Sequence, residues 1–205
     1  HLGLDVTVLE MADRPMQRVV APELSDFYLR RHAREGVRIH CNTSVTAFLG
    51  VGRVRAVASA GQEFPADLVI VGVGILPDVT LAAAAGLRCD NGVWVDELCR
   101  TSDPNVYAAG DCTNHPSAHY GRRVRLESVD NAVEQGKTAA ANICGKAQRH
   151  DHVPWFWSDQ YDVKLQIPGL SQGYDRTVLR GDPEAGRFGL YYFAQGELIA
   201  VDAVN

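Results

Sequence analysis

Thr101-Ser102-Asp103-Pro104-Asn105-Val106-Tyr107-Ala108-Ala109-Gly110-Asp111 is the stretch whose reading decides the fold. Asp-Pro-Asn makes a turn, residues 106–109 make a short apolar strand, and the strand runs out into a Gly-Asp step. An acid at that point sits at the carboxyl edge of a sheet, where open α/β folds bind ligands. Glycine lets a ligand approach the backbone closely, and aspartate accepts hydrogen bonds from hydroxyl groups. A Gly-Asp pair alone is an ordinary turn. The full spacing, Thr-x-x-x-x-Val-Tyr-Ala-x-Gly-Asp, is what carries the signal.

The sequence on either side reads as α/β material. Residues 4–10 are a short apolar strand closed by Glu10. Residues 22–35 read as a helix, with Pro22 in its first turn, acids early, arginines late and Gly36 as its stop. Residues 37–40 are a second strand. Residues 44–49 and 53–58 are β-rich runs joined by Gly50-Val51-Gly52, a hairpin pattern. Residues 67–74, Asp-Leu-Val-Ile-Val-Gly-Val-Gly, form the continuous apolar run expected of a parallel strand buried on both faces. A short alanine-rich helix follows at 81–85, and a brief strand at 94–96. Residues 128–144 predict a helix with Val129, Ala132, Val133, Ala139, Ala140 and Ile143 as its apolar face. From Tyr161 the pattern turns to β, with runs at 163–167, 176–179, 188–193 and 198–201 separated by glycine-containing turns.

Composition narrows the function classes. A formal charge of −5 argues against a general nucleic-acid binder. No apolar run approaches the roughly 18 residues that a membrane-spanning helix needs, so the expectation is a cytoplasmic protein with no membrane partner. The five cysteines, Cys41, Cys89, Cys99, Cys112 and Cys144, are scattered without a close pair. That spacing encodes neither a zinc site nor a redox-active dithiol, and it suits reduced, mostly buried thiols. The chain starts with His1 almost directly in a strand and stops in another, so a piece of a longer protein is expected.

The stretch ending at Asp111 resembles the second FAD-binding motif of the two-dinucleotide flavoprotein reductases, in which the aspartate holds the ribityl chain. Three further features read alongside it. Glu10 ends a strand where, in a dinucleotide-binding βαβ unit, an acid hydrogen-bonds adenosine ribose hydroxyls and disfavours a 2′-phosphate. It therefore predicts a preference for NADH; by position alone a solvated strand-end acid fits equally. Gly74, with Gly72, ends the 67–74 run and permits a ligand against backbone, although a turn before Pro77 would look the same. The helix start at Ser128-Val129 offers unpaired backbone N–H groups, the Val129 amide among them, to the negative edge of a reduced flavin; an ordinary capped helix would share this sequence.

Pro154-Trp155-Phe156-Trp157-Ser158-Asp159-Gln160 is an aromatic cluster where composition changes. A core-filling knot accounts for one tryptophan. Two within three residues, followed by polar side chains, point to one ring, Trp157, facing a site beside an isoalloxazine. With this segment, with Arg14-Pro15-Met16-x-Arg18-Val19, with Val71-Gly72-Val73-Gly74-Ile75-Leu76-Pro77 and with Arg125-Leu126-Glu127-Ser128, the chain resembles a ferredoxin–NAD(+) reductase. That is the FAD-dependent, oxygenase-coupled branch of the pyridine nucleotide-disulfide oxidoreductases. The resemblance implies two Rossmann-like FAD/NAD(P)-binding domains, both partial, plus the start of an α+β C-terminal reductase domain. Residues 1–76 would be the C-terminal part of the NADH-binding domain, 77–150 the returning part of the FAD-binding domain, and 151–205 the start of the reductase domain. It implies hydride transfer from NADH to FAD and single-electron delivery to a 2Fe–2S ferredoxin serving an oxygenase or haem monooxygenase. Gly110, Asp111, Val129 and Trp157 would contact FAD, and Glu10 and Gly74 would face NADH. No general acid or nucleophile is required, because the cofactor supplies the chemistry. Acidic ferredoxins need a basic patch, for which Arg122, Arg123, Arg125, Lys137 and Lys164 are candidates.

Two rival readings stand beside this one. An NADH oxidase, NADH peroxidase or thiol-disulfide reductase shares the scaffold but needs a reactive cysteine, and the Trp-Phe-Trp-Ser segment weighs against it. A non-catalytic binding protein with a reductase-like fold is the other; retention of Glu10 and Gly110-Asp111 weighs against that. On either enzymatic reading both phosphate-binding glycine turns would precede residue 1, so these residues alone are expected to be inactive.

Overall fold

In the computed structural model, which describes residues 3–205, the chain divides into two units between Val73 and Gly74. In the first, strand β1 (Thr7–Leu9) pairs in parallel with β2 (Arg38–His40) across helix α1 (Pro22–Arg34). Parallel neighbours require such a crossover. Pro22 opens α1, where its missing N–H costs nothing, and Gly36 at φ +81 ends it. Leu24, Phe27 and Tyr28 recur at helical spacing and are buried. Strands β3 (Ala47–Leu49), β4 (Ala56–Ser59) and β5 (Gln62–Pro65) form an antiparallel meander, with Ala47 opposite Ala58 around the expected hairpin.

The run at 67–74 departs from expectation. It forms no strand, and Ile70 and Val73 are 88% and 85% exposed. A strand buried on both faces needs hydrogen-bonded neighbours and covering layers, and none of the described residues supplies them here.

The second unit opens with helix α2 (Thr80–Ala84) and a three-stranded sheet of β6 (Val93–Trp94), β7 (Thr113–Ser117) and β8 (Arg122–Val124). Residues 106–109 are extended but contribute only a bridge from Tyr107 to Arg100, not a strand. The chain then forms helix α3 (Val129–Ile143) and a five-stranded antiparallel sheet. Its strands are β9 (Trp155–Gln160), β10 (Val163–Pro168), β11 (Arg176–Asp182), β12 (Arg187–Ala194) and β13 (Glu197–Val204), in spatial order β11-β12-β13-β10-β9. One face of this sheet is the core of the region: Val163, Leu165, Ile167, Phe188, Leu190, Tyr192, Ala200 and Val204 are all buried and alternate along their strands.

The thiols are free, but Cys99 alone is fully buried, while Cys41, Cys89 and Cys112 are half-buried and Cys144 is exposed. The expectation of mostly buried cysteines is corrected on that point. No described helix is long and apolar enough to cross a membrane.

Candidate functional site

Gly110 and Asp111 sit where an extended segment runs into a sharp turn. Gly110 has φ +87, a left-handed conformation that costs other residues free energy. A Cβ there would meet nothing closer than Ala132 at 3.6 Å, so the demand is conformational and not steric. The Gly110 N–H donates to Gln135 Oε1 at 2.7 Å, and its carbonyl accepts from the Thr113 N–H at 3.0 Å. Arg125 Nη1 donates to the Asp111 carbonyl at 3.2 Å, while its Nη2 pairs with Glu127 at 2.9 Å. The backbone under Asp111 is therefore held from two sides, and its carboxylate is exposed.

Helix α3 supplies the opposite wall. Ser128 caps it, its extended backbone placing Oγ to accept from the Asn131 N–H at 3.2 Å. The N–H groups of Val129 and Asp130 have no intrahelical partner by the geometry of a first turn, and the helix dipole adds positive potential there. Asp111, Glu127, Ser128, Val129, Ala132 and Val133 line an open pocket of about 490 Å³. That is within the range of small-molecule sites, roughly 300–1,000 Å³.

The lower face of α3 differs from expectation. Asn131, Gln135, Thr138 and Asn142 form its buried stripe with Ala139, the one expected apolar residue that is buried, while Val129, Val133 and Ile143 are exposed. The buried amides bind loops: Asn131 Nδ2 donates to the Leu126 carbonyl at 3.3 Å, and Asn142 Nδ2 to the carbonyls of Leu98 and Gln148 at 2.9 and 2.7 Å. Thr113 Oγ1 lies 2.7 Å from Gln135 Oε1. Gln135 Nε2 and Asn131 Oδ1 are buried without a hydrogen-bond partner among the described residues. The sequence reading missed Gln135, though polar residues spaced four, three and four apart at 131, 135, 138 and 142 were the available signal.

A second polar cavity is lined by His115, His119, His150, His152 and Asp151. The His115 and His150 rings meet edge-on at 5.1 Å. Burial, reinforced by His150 and Arg123, pulls the His115 pKa down to about 4. His152 pairs with Asp130 at 2.8 Å, next to the start of α3.

Of the sequence candidates, Asp111 and Val129 both line the pocket; Gly110 is buried beside Asp111 and, like Trp157 on β9, which is 49% exposed, is not among the lining residues. Glu10 belongs to the first unit, where its Oε1 accepts from the Ala12 N–H at 2.8 Å; Gly74, at φ +92, opens the second. Arg122 is exposed and donates to Gln172 Oε1 at 2.9 Å, Lys137 pairs with Glu134 at 2.6 Å, and Lys164 is exposed on β10 opposite Asp159. Two of the proposed docking cations are engaged within the chain. Arg125 is held by the Asp111 carbonyl, Asn91 and Glu127. The Arg123 guanidinium lies 3.5 Å from the centre of the Trp94 ring and donates to the carbonyl of Val95 and to Asn114.

A flavin nucleotide fits this pocket on the chemistry of its walls. An exposed carboxylate can accept from ribityl hydroxyls, a helix start favours a negative ring edge, and Val129, Ala132 and Val133 give apolar contact for a planar ring.

Residues 1–136 match the family model described as pyridine nucleotide-disulphide oxidoreductase, and residues 155–205 match the one described as reductase C-terminal. Putidaredoxin reductase CamA of Pseudomonas putida is 45% identical over 207 residues, covering 99% of this chain and 49% of that protein. The crystal structure of the ferredoxin reductase for the CYP199A2 system from Rhodopseudomonas palustris superposes with a TM-score of 0.95 at 44% identity, over 99% of this chain and 51% of that one. The reductase of the covalent putidaredoxin reductase–putidaredoxin complex superposes at 0.94 with 45% identity, over 98% and 49%. The chain thus spans about half the length of the relatives it matches.

Proposed function

The chain belongs to the pyridine nucleotide-disulphide oxidoreductase family, and from that premise we propose that it is part of an FAD-dependent ferredoxin–NAD(+) reductase. The observation that carries the reading is the pocket in which the Asp111 carboxylate faces the capped start of α3. The names of its relatives support the acceptor, since they are reductases of putidaredoxin and of a ferredoxin. When bound, FAD accepts a hydride and passes electrons on singly. The chain's own residues bind and orient. Asp111 would accept hydrogen bonds from the ribityl hydroxyls, and the Val129 N–H would donate to the electron-rich edge of the ring. Val129, Ala132 and Val133 would keep water from that edge. Gly110, in a left-handed conformation that other residues oppose, would set the turn that presents Asp111. Trp157 would shield the ring at the electron exit.

Glu10 and Gly74 would face NADH. Glu10 already fixes one carboxylate oxygen on the Ala12 N–H, which leaves the other for a ribose hydroxyl and sets a negative charge where a 2′-phosphate would lie. On this reading residues 1–76, 77–150 and 151–205 are parts of the NADH-binding, FAD-binding and reductase domains, working in the cytoplasm. The partner is a 2Fe–2S ferredoxin that serves an oxygenase or haem monooxygenase. Arg122, Lys137 and Lys164 would meet its acidic surface, and Arg123 and Arg125, engaged within the chain, would not. The test compares NADH-dependent reduction of a ferredoxin with that of a disulfide substrate by the intact protein. Ferredoxin reduction, with a KM that rises with salt and on neutralising Arg122 and Lys137, is the expected result. Disulfide reduction without ferredoxin reduction would transfer the chain to the thiol reductases.

A further inference from the structure

Most helices on a sheet bury aliphatic side chains; α3 buries amides. Among them Gln135 is fully buried, and it binds the backbone of the residue before the pocket's Asp111. Its Oε1 accepts from the Gly110 N–H at 2.7 Å and lies 2.7 Å from Thr113 Oγ1. The Thr113 hydroxyl, with one hydrogen to give, also lies 2.9 Å from the Gly110 carbonyl. The Thr113 N–H already donates to that carbonyl at 3.0 Å, so with the hydroxyl given to Gln135 Oε1 the three residues close a ring of hydrogen bonds around a glycine in a left-handed conformation.

We infer that Gln135 is a positioning residue for the cofactor pocket: by holding the Gly110 N–H it fixes the Ala109–Gly110 peptide, one residue ahead of Asp111, and so sets where that carboxylate meets its ligand. The inference rests on the reading of the pocket as the flavin site. Without the acceptor, a buried N–H is left unpaired, and the least costly escape is rotation of the 109–110 peptide toward another acceptor. That rotation swings Asp111, the next residue. Only the oxygen of the Gln135 amide is used, because Nε2 has no partner among the described residues. A carboxylate at the same place would offer the same acceptor.

The experiment titrates FAD into the flavin-free intact protein and follows quenching of flavin fluorescence, with circular dichroism reporting the helix content of each variant. Gln135→Leu is expected to weaken FAD binding by about tenfold or more, the loss of one buried hydrogen bond and its geometry. Gln135→Glu is expected to stay within about threefold of wild type, because the acceptor survives. In an Asp111→Ala background Gln135→Leu should add less than about twofold, since a residue acting through Asp111 has nothing left to position. A Gln135→Leu protein that binds FAD as well as wild type overturns the inference, and so does a full second loss on top of Asp111→Ala. If Gln135→Leu does not fold, Gln135→Glu decides alone: retained affinity supports the assignment and a loss of about tenfold overturns it. A wild type that binds no FAD overturns the flavin reading and this inference together. A wild type that binds FAD beside an unaffected Gln135→Leu overturns the inference alone.

Discussion

The run from residue 67 to 76 carries more aliphatic side chains than strand β10, yet β10 is a buried strand and the run is not a strand at all. Leu165 of β10 is fully buried between two antiparallel neighbours, β9 and β13. Ile70, in the longer apolar run, has no such neighbours among the described residues and is exposed. The difference teaches that hydrophobic content nominates a strand but pairing makes one, because each buried N–H and C=O needs a partner before the side chains can be covered.

The largest expected effect tests the paired side of that comparison. Leu165→Ala should cost about 4 kcal/mol in denaturant unfolding of this chain, since it removes buried methyl groups from a packed face and leaves a cavity. A cost under about 1 kcal/mol would mean that the sheet core is loose and the contrast false.

The next effect sharpens the comparison by pH. Asp202 is fully buried on the same face and shares a hydrogen bond with the Tyr192 hydroxyl, while its Oδ1 has no partner among the described residues. Burial pushes its carboxyl up to about 7, against the smaller opposing pull of that bond. The folded state thus holds the proton more tightly than the unfolded chain. Its contribution is fully present below about pH 4 and is lost as pH rises through 7, a swing on the order of 4 kcal/mol. Asp202→Asn should flatten the stability profile between those limits, as read from melting temperatures across the range. An unchanged profile would remove Asp202 as its cause.

Two smaller effects complete the series. Ser128→Ala removes the cap of α3 and should cost about 1 kcal/mol. Ile70→Ala, in the unpaired run, should stay within about 0.5 kcal/mol. If Ile70→Ala costs as much as Leu165→Ala in these 205 residues, the run is buried after all and the comparison breaks.

Much of the architecture was legible from residues. Pro22 and Gly36 bracket α1, Gly50 and Gly52 flank the β3–β4 turn, and alternation along 188–193 and 198–201 announces β12 and β13. The hairpin of β7 and β8 was not visible, because Thr-Asn-His-Pro-Ser has neither alternation nor β-branched content beyond one threonine. Its burial is polar: Thr113 and Asn114 bond to tertiary partners and His115 packs edge-on against His150, which no local pattern reveals. At the candidate site, the motifs single out Asp111 and Val129, which line one pocket. They do not single out the support beneath, because Val129, Val133 and Ile143 lie on the exposed face of α3 while the amides at 131, 135 and 142 take the buried one beside Ala139. Arg123 shows the same limit, since its sequence neighbours do not disclose that Trp94 and Asn114 occupy its guanidinium.

The central claim is that Asp111 and the start of α3 hold a flavin, and FAD affinity of Asp111→Ala against wild type in the intact protein tests it most directly. Loss of hydrogen bonds to a charged acceptor predicts weakening by about 10- to 100-fold with the fold retained. Equal affinity in the two proteins would contradict the account.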